Sequence, residues 1–182
     1  MAPSRLTSAR VEPIQKVVEL SRKRTNAANV NATMAHHRKL GAALGNLYQV
    51  VLHECDTPRR QREIVILRTG WNCQAEYEFG QHTIYGRQAG LTDAEIYAVT
   101  RPIKTHPWSE DDAVLLQMAD DLFSDDAVSD ATWAELTARW SVPDVFEFVC
   151  ACLSYRVVSG LLNTLGVQLD EGVPGWPSAP AR

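Results

Sequence analysis

Arg59-Arg60-Gln61-Arg62-Glu63-Ile64-Val65-Ile66-Leu67-Arg68-Thr69-Gly70, followed at once by Trp71-Asn72-Cys73-Gln74-Ala75-Glu76-Tyr77-Glu78-Phe79-Gly80-Gln81-His82-Thr83-Ile84-Tyr85-Gly86-Arg87-Gln88-Ala89-Gly90, is the stretch on which the fold turns. Thr57-Pro58 just ahead is a start signal, because threonine caps and proline at the first helical position loses no needed N–H. The pattern predicts one helix to about Thr69, stopped by Gly70. Asn72 then caps a second, from about Cys73 to Ala89, which Gly90 ends. So short a connection favours an antiparallel pair.

Working outward, the chain reads as helices with good caps and no convincing strand. Val11 to Arg24 carries Ile14, Val17 and Val18 at helical spacing, and Thr25 to Met34 reads as a loop or short helix. Leu40, Ala43, Leu44, Leu47 and Val51 mark an amphipathic helix. Thr92-Asp93-Ala94-Glu95 is a capping box opening a short helix to about Val99. Arg101 to Trp108, with two prolines, should be a loop. Ser109 caps a helix with the buried stripe Leu115, Met118, Ala119 and Leu122. Ser129 caps another, with Trp133, Leu136 and Trp140 inward. The last helix, about Pro143 to Leu165, is apolar almost all round at Phe146, Phe148, Val149, Leu153, Val157 and Leu161, as suits the centre of a domain or of an interface. Its polar exceptions, Arg156, Ser159 and Asn163, share one face. The expected architecture is all-α, with residues 1–170 as a single domain. Residues 171–182 form a Pro/Gly-rich tail, either loose or laid on a neighbouring subunit.

A hydrophobic share of 45%, a charged share of 22% and a net charge of −4 are those of an ordinary globular protein. There is no basic footprint for nucleic acid or anionic lipid; the short cluster Arg22-Lys23-Arg24 reads as a solvated face. No run of about 18 apolar residues suggests a membrane span. Met1 to Arg10 lacks the apolar centre of a secretory signal. The expected compartment is the cytoplasm, with Cys55, Cys73, Cys150 and Cys152 as reduced thiols.

The chemistry is expected in the hairpin. Ala75, Glu78, His82, Tyr85 and Ala89 lie on one helical face, and Glu78 stands one turn from His82, within reach of a carboxylate–imidazole bond. Glu63 and His82 both fall roughly 10–14 Å from the bend, so antiparallel helices can set them face to face. Glu63 sits among Ile64, Val65, Ile66 and Leu67, where an unpaired acid is expensive. A cluster of this kind can hold, accept or donate a proton. By spacing alone, Glu78–His82 and Arg62–Glu63 are equally readable as ordinary structural pairs.

The runs Arg62 to Arg68, Asn72 to His82 and Gly90-Leu91-Thr92-Asp93-Ala94-Glu95-Ile96, taken together, resemble the carboxymuconolactone decarboxylase / alkylhydroperoxidase-D-like (AhpD-like) family. Met34-Ala35-His36-His37 and Tyr155 to Asn163 extend the resemblance over roughly residues 15–170. It implies an AhpD-like helical bundle and a homo-oligomer. The family's peroxidase branch carries a Glu, a C-x-x-C pair and a His. Aligned on His82, that Glu falls on Glu63 and the cysteines fall on Ala75 and Glu78, so both sulfurs are absent. Thiol–disulfide chemistry by the usual route is therefore not expected.

The decarboxylase branch instead has Glu and His at the Glu78 and His82 positions and releases carbon dioxide from a carboxylated lactone. The resemblance thus implies a cofactor-independent lyase or isomerase with Glu63, Glu78 and His82 as catalytic residues, acting on a small carboxylated or lactone substrate. His82 would be proton donor or electrostatic partner, and Glu78 would orient the imidazole or shuttle the proton. The chain departs from the short decarboxylases in its longer N-terminus and in keeping Glu63. Two alternatives stand beside this reading: a non-catalytic, oligomeric ligand-binding protein on the same scaffold, and a cysteine-dependent peroxidase.

Trp71, Asn72 and Tyr85 border the proposed site and are candidate substrate-binding residues, although Trp71 also suits turn packing. His36 and His37 point in different directions on any regular element. With His53 and His106 scattered, no metal motif forms, and no phosphate-binding loop is present.

Overall fold

The computed structural model describes residues 28–179, so the Val11–Arg24 segment and its basic cluster lie outside the described residues. The elements are α1 (Asn29–Met34), a 3-10 turn (Ala35–His37), α2 (Arg38–His53), α3 (Arg59–Asn72), α4 (Glu76–Gln88), α5 (Asp93–Ala98), a second 3-10 turn (Ile103–Thr105), α6 (Glu110–Asp125), α7 (Asp130–Arg139) and α8 (Val142–Leu165). Among the described residues there is no strand.

Most helix starts follow from local chemistry. The Thr92 and Glu95 capping box forms in full, and the Ser109 and Ser129 hydroxyls accept from Asp112 N and Thr132 N. Ser141 with Asp144 makes a second capping box, so α8 begins slightly before the expected Pro143.

The hairpin differs in detail. Pro58 stands at the N-cap of α3 rather than inside it, and no side chain caps that end. Instead the Glu147 carboxylate of α8 accepts from Thr57 N (2.8 Å) and Asp56 N (3.1 Å). Nor does Gly70 stop α3, which runs on through Asn72. The turn is made by Gln74 in the left-handed region (φ 52°), and α4 starts after Ala75 with no side-chain cap. Asn163 of α8 secures the bend by donating to Cys73 O at 2.9 Å.

α3 lies at the centre, packed against α4, α6 and α8, and is buried from Arg62 through Gly70. One side places Val65 and Ile66 against Leu115, Met118, Ala119, Phe148 and Ala151. The other sets Ile64 and Leu67 against Phe79, Leu91, Ile96, Val99 and Leu116. The α6 stripe is buried throughout, whereas two other predicted faces are only partly inward. On α2, Val51 is buried while Leu40 and Leu47 are exposed, because α2 lies at the periphery, covered chiefly by α1 and α8. On α7, Leu136 is buried but Trp133 is exposed; Trp140 packs on Phe148 at 5.5 Å.

By length and composition α8 could cross a membrane, which the sequence pattern alone did not suggest. Here its inner face, Phe148, Ala151, Cys152, Tyr155, Val158 and Leu162, forms core, while Val142, Phe146, Leu153 and Val157 remain exposed. Its polar face also turns inward. Arg156 donates to Leu122 O at 2.7 Å and pairs with Asp126, Ser159 reaches Glu78, and Asn163 holds the bend.

The described part of the segment after α8, residues 166–179, folds back over α4 of its own chain. Asp170 accepts from Asn29 N, Tyr77 Oη and Gln81 Nε2. Trp176 sits 5.2 Å from both Trp71 and Phe79. Gly80 permits this approach, since a Cβ there would meet Pro174 O at 2.2 Å.

Candidate active site

The antiparallel pairing of α3 and α4 sets His82 Nδ1 2.7 Å from Glu63 Oε2, with the residues 4% and 1% exposed. A carboxylate partner selects Nδ1 as the donor and leaves Nε2 for other work. Among the described residues no protein group bonds Nε2. The rings of Tyr155 (4.6 Å) and Tyr85 (5.3 Å) stand edge-on to the imidazole. Tyr85 is partly open to solvent and forms the outward side of the cluster.

Glu78 does not bond His82, although the two are one turn apart. Its carboxyl points to α8, where Oε2 accepts from the Ser159 hydroxyl; Oε1 is buried with no partner among the described residues. Gly70 is the residue that makes room, because a Cβ there would stand 3.1 Å from Glu78 Oε1. Burial pushes the Glu78 carboxyl well above the usual carboxylate range, with the Ser159 bond working in the opposite direction.

This shift links to stability. The unfolded chain releases the Glu78 proton near the ordinary carboxylate pKa, while the folded chain keeps it. Folding is therefore progressively disfavoured as pH rises from there towards the folded-state value. Within that window the wild type loses about 1.4 kcal/mol per pH unit from this group. Glu78→Gln is expected to flatten the dependence, matching the wild type near about pH 4 and exceeding it near about pH 8. Urea unfolding at both pH values checks this, and parallel pH profiles would refute it.

Three further residues complete the cluster and were not singled out as site residues by spacing. Tyr155 is buried against His82, and its hydroxyl is pushed up by burial and then by Glu78 and Glu63. Tyr48, from α2, packs on Tyr155 at 5.7 Å; burial and then the Glu78 carboxyl push it up to about 12. Ser159 was visible only as a polar exception on an apolar helix. Nothing local distinguishes Tyr48 or Tyr155 from ordinary packing aromatics.

The thiols nearby are held protonated. Burial raises Cys152 to about 11, although Thr69 Oγ1 donates to its sulfur at 3.2 Å; Cys73 is raised by burial and then by Glu78. Such thiols are poor nucleophiles. All four cysteines are free.

Trp71 and Asn72 are not brought to this cluster. The continuation of α3 past Gly70 carries Trp71 under Trp176, and directs Asn72 Nδ2 to Asp120 Oδ1 at 2.8 Å. His37 accepts from Leu40 N at the start of α2, and His106 packs at a tilt against Trp108. Among the described residues no group of three or more His, Cys, Asp or Glu side chains is placed to hold a metal ion. Two surface clefts, one beside Ile103, Gln117 and Glu135 and one beside Tyr97 and Arg101, share no residue with the cluster.

No family model matches the chain, and no curated protein sequence does. Solved structures do. An uncharacterised peroxidase-related protein from Silicibacter is 13% identical with a TM-score of 0.74, covering 95% of each chain. A cysteine-to-alanine variant of the debrominase Bmp8, bound to tribromopyrrole, is 13% identical with a TM-score of 0.71, over 94% of this chain and 92% of that one. An Agrobacterium tumefaciens protein of unknown function, described as a candidate AhpD antioxidant-defence protein, is 16% identical with a TM-score of 0.67, over 71% of this chain and 89% of that one. The chain therefore has the all-α, AhpD-like fold.

Proposed function

We propose that the chain is a cofactor-independent acid–base enzyme of lyase or isomerase type, acting on a small carboxylated or lactone substrate by decarboxylation or a related proton transfer. The observation that carries this reading is the buried Glu63–His82 pair one helical turn from Glu78, a carboxyl that burial pushes well above the usual carboxylate range. Glu63 holds the ring by Nδ1, so Nε2 takes or delivers the proton. In a decarboxylation the bond to the carboxylate carbon breaks, carbon dioxide leaves, and its electron pair moves onto the neighbouring carbonyl as an enolate. Protonation at carbon then restores the carbonyl. The Ala75 and Glu78 positions lack the sulfurs that a C-x-x-C peroxidase would need, and the protonated Cys73 and Cys152 are poor substitutes. The exposed apolar stripe Val142, Phe146, Leu153 and Val157 supports reading the chain as a homo-oligomer.

The test is a screen of small enol-lactone and 3-oxo acids, following carbon dioxide release and ultraviolet change together. Turnover is expected to vanish in His82→Ala and to fall by about 100-fold or more in Glu63→Gln. Full turnover without His82 would overturn the reading. Saturable binding with no turnover would favour a non-catalytic ligand-binding protein.

A further inference from the structure

Among the described residues, two side chains of the ring cluster carry a buried polar atom without a partner, the Tyr48 hydroxyl and Glu78 Oε1. Unsatisfied buried groups cost about 1–3 kcal/mol each, so two around one ring cluster call for an explanation. They come from different helices. Tyr48 rises from α2 and packs on Tyr155, which packs on His82, while Glu78 stands one turn before His82 on α4. Among the described residues no cation bonds Glu78, and its hydrogen-bond partner is the Ser159 hydroxyl, which donates to Oε2. An ionised carboxylate at 2% exposure with one oxygen orphaned is disfavoured, and a proton added to it belongs on the oxygen Ser159 leaves free. Oε1–H and Tyr48 Oη–H are then two donors with no acceptor among the described residues, and the missing Cβ of Gly70 leaves Oε1 its space.

We propose that Tyr48 and Glu78 form an oxyanion-binding pair. Their O–H groups receive the oxygen of an enolate- or dienolate-type anion, while His82 Nε2 serves the carbon that gains or loses the proton. Neutral donors of this kind strengthen as charge develops on the acceptor, and so favour the anion over the ground-state carbonyl. The substrate class narrows to compounds whose reacting carbon is adjacent to, or conjugated with, a carbonyl. This inference rests on the acid–base reading above and names the residues that would hold its intermediate.

The probe is 4-nitrophenol, whose phenolate is an oxyanion with its own visible absorption. The wild type is expected to bind the phenolate and to lower the pH at which it forms. Tyr48→Phe, which removes only the hydroxyl, should weaken binding by about 10-fold or more, the loss of one hydrogen bond to a charged group. The infrared carboxylic-acid band of Glu78, identified by its absence from Glu78→Gln, should shift when the phenolate binds. Absence of binding, equal affinity in Tyr48→Phe, or an unmoved band would each overturn the pair. Tyr48-dependent binding with no turnover of any substrate would leave the pair standing and remove the enzymatic reading. Conversely, turnover that depends on His82 but keeps its kcat in Tyr48→Phe would remove the pair alone.

Discussion

Replacing Glu63 with leucine is expected to destabilise the fold by about 3–5 kcal/mol, the usual cost of removing one partner from a buried polar pair. The substitution keeps most of the volume and suits the apolar neighbours Ile64 and Leu67. The loss therefore comes from what remains, a His82 Nδ1 at the centre of the domain with no acceptor. His82→Phe should cost a comparable amount by stranding Glu63. The double variant is expected to lie closer to the wild type than the sum of the two, since an apolar pair of similar volume replaces a buried polar pair at little cost. Urea unfolding of all four proteins gives the coupling, expected at about 2 kcal/mol or more. Additive costs would mean that the 2.7 Å contact contributes nothing of its own. Because the cycle measures stability alone, it separates the structural role of the pair from any role in turnover.

Arg68→Met is expected to cost on the order of 3 kcal/mol, which for a domain of this size lowers Tm by about 6–12 °C. The guanidinium bonds both oxygens of Asp120 at 2.7 and 2.6 Å and also donates to the carbonyls of Val99 and Arg101. One side chain thus ties α3 to α6 and to the loop after α5. Methionine leaves two carbonyls and a carboxylate without their charged donor, Asn72 then being the remaining side-chain partner of Asp120. Arg68→Lys should recover less than half, because a single ammonium cannot span a fork and two carbonyls. Calorimetry decides it, and a Tm within about 3 °C of the wild type in Arg68→Met would make the brace incidental.

Local signals were legible where the physics is local. The Thr92 capping box, the Ser109 and Ser129 caps and the α6 stripe each depend on residues within a few positions of one another. Gly70 was misread for the same reason. A glycine ahead of a polar run resembles a helix stop, but its lack of a side chain serves the Glu78 carboxyl of the next helix. Trp71 and Asn72 were misplaced with it, since the extra residues of α3 carry them to Trp176 and Asp120.

For Glu63, Glu78 and His82, the sequence by itself determined that Glu63 and His82 stand at matching depth on an antiparallel hairpin. Rise per residue and a short connection are properties of the local chain. Which carboxyl takes the imidazole was decided only by tertiary structure. Glu78 is nearer to His82 in sequence, yet it turns to Ser159, 81 residues on, and Glu63 takes Nδ1. Tyr48 and Tyr155 likewise join the cluster only because α2 and α8 pack beside the hairpin. A buried polar atom bonds whatever the packed neighbours offer it, and those neighbours come from helices far apart in the chain.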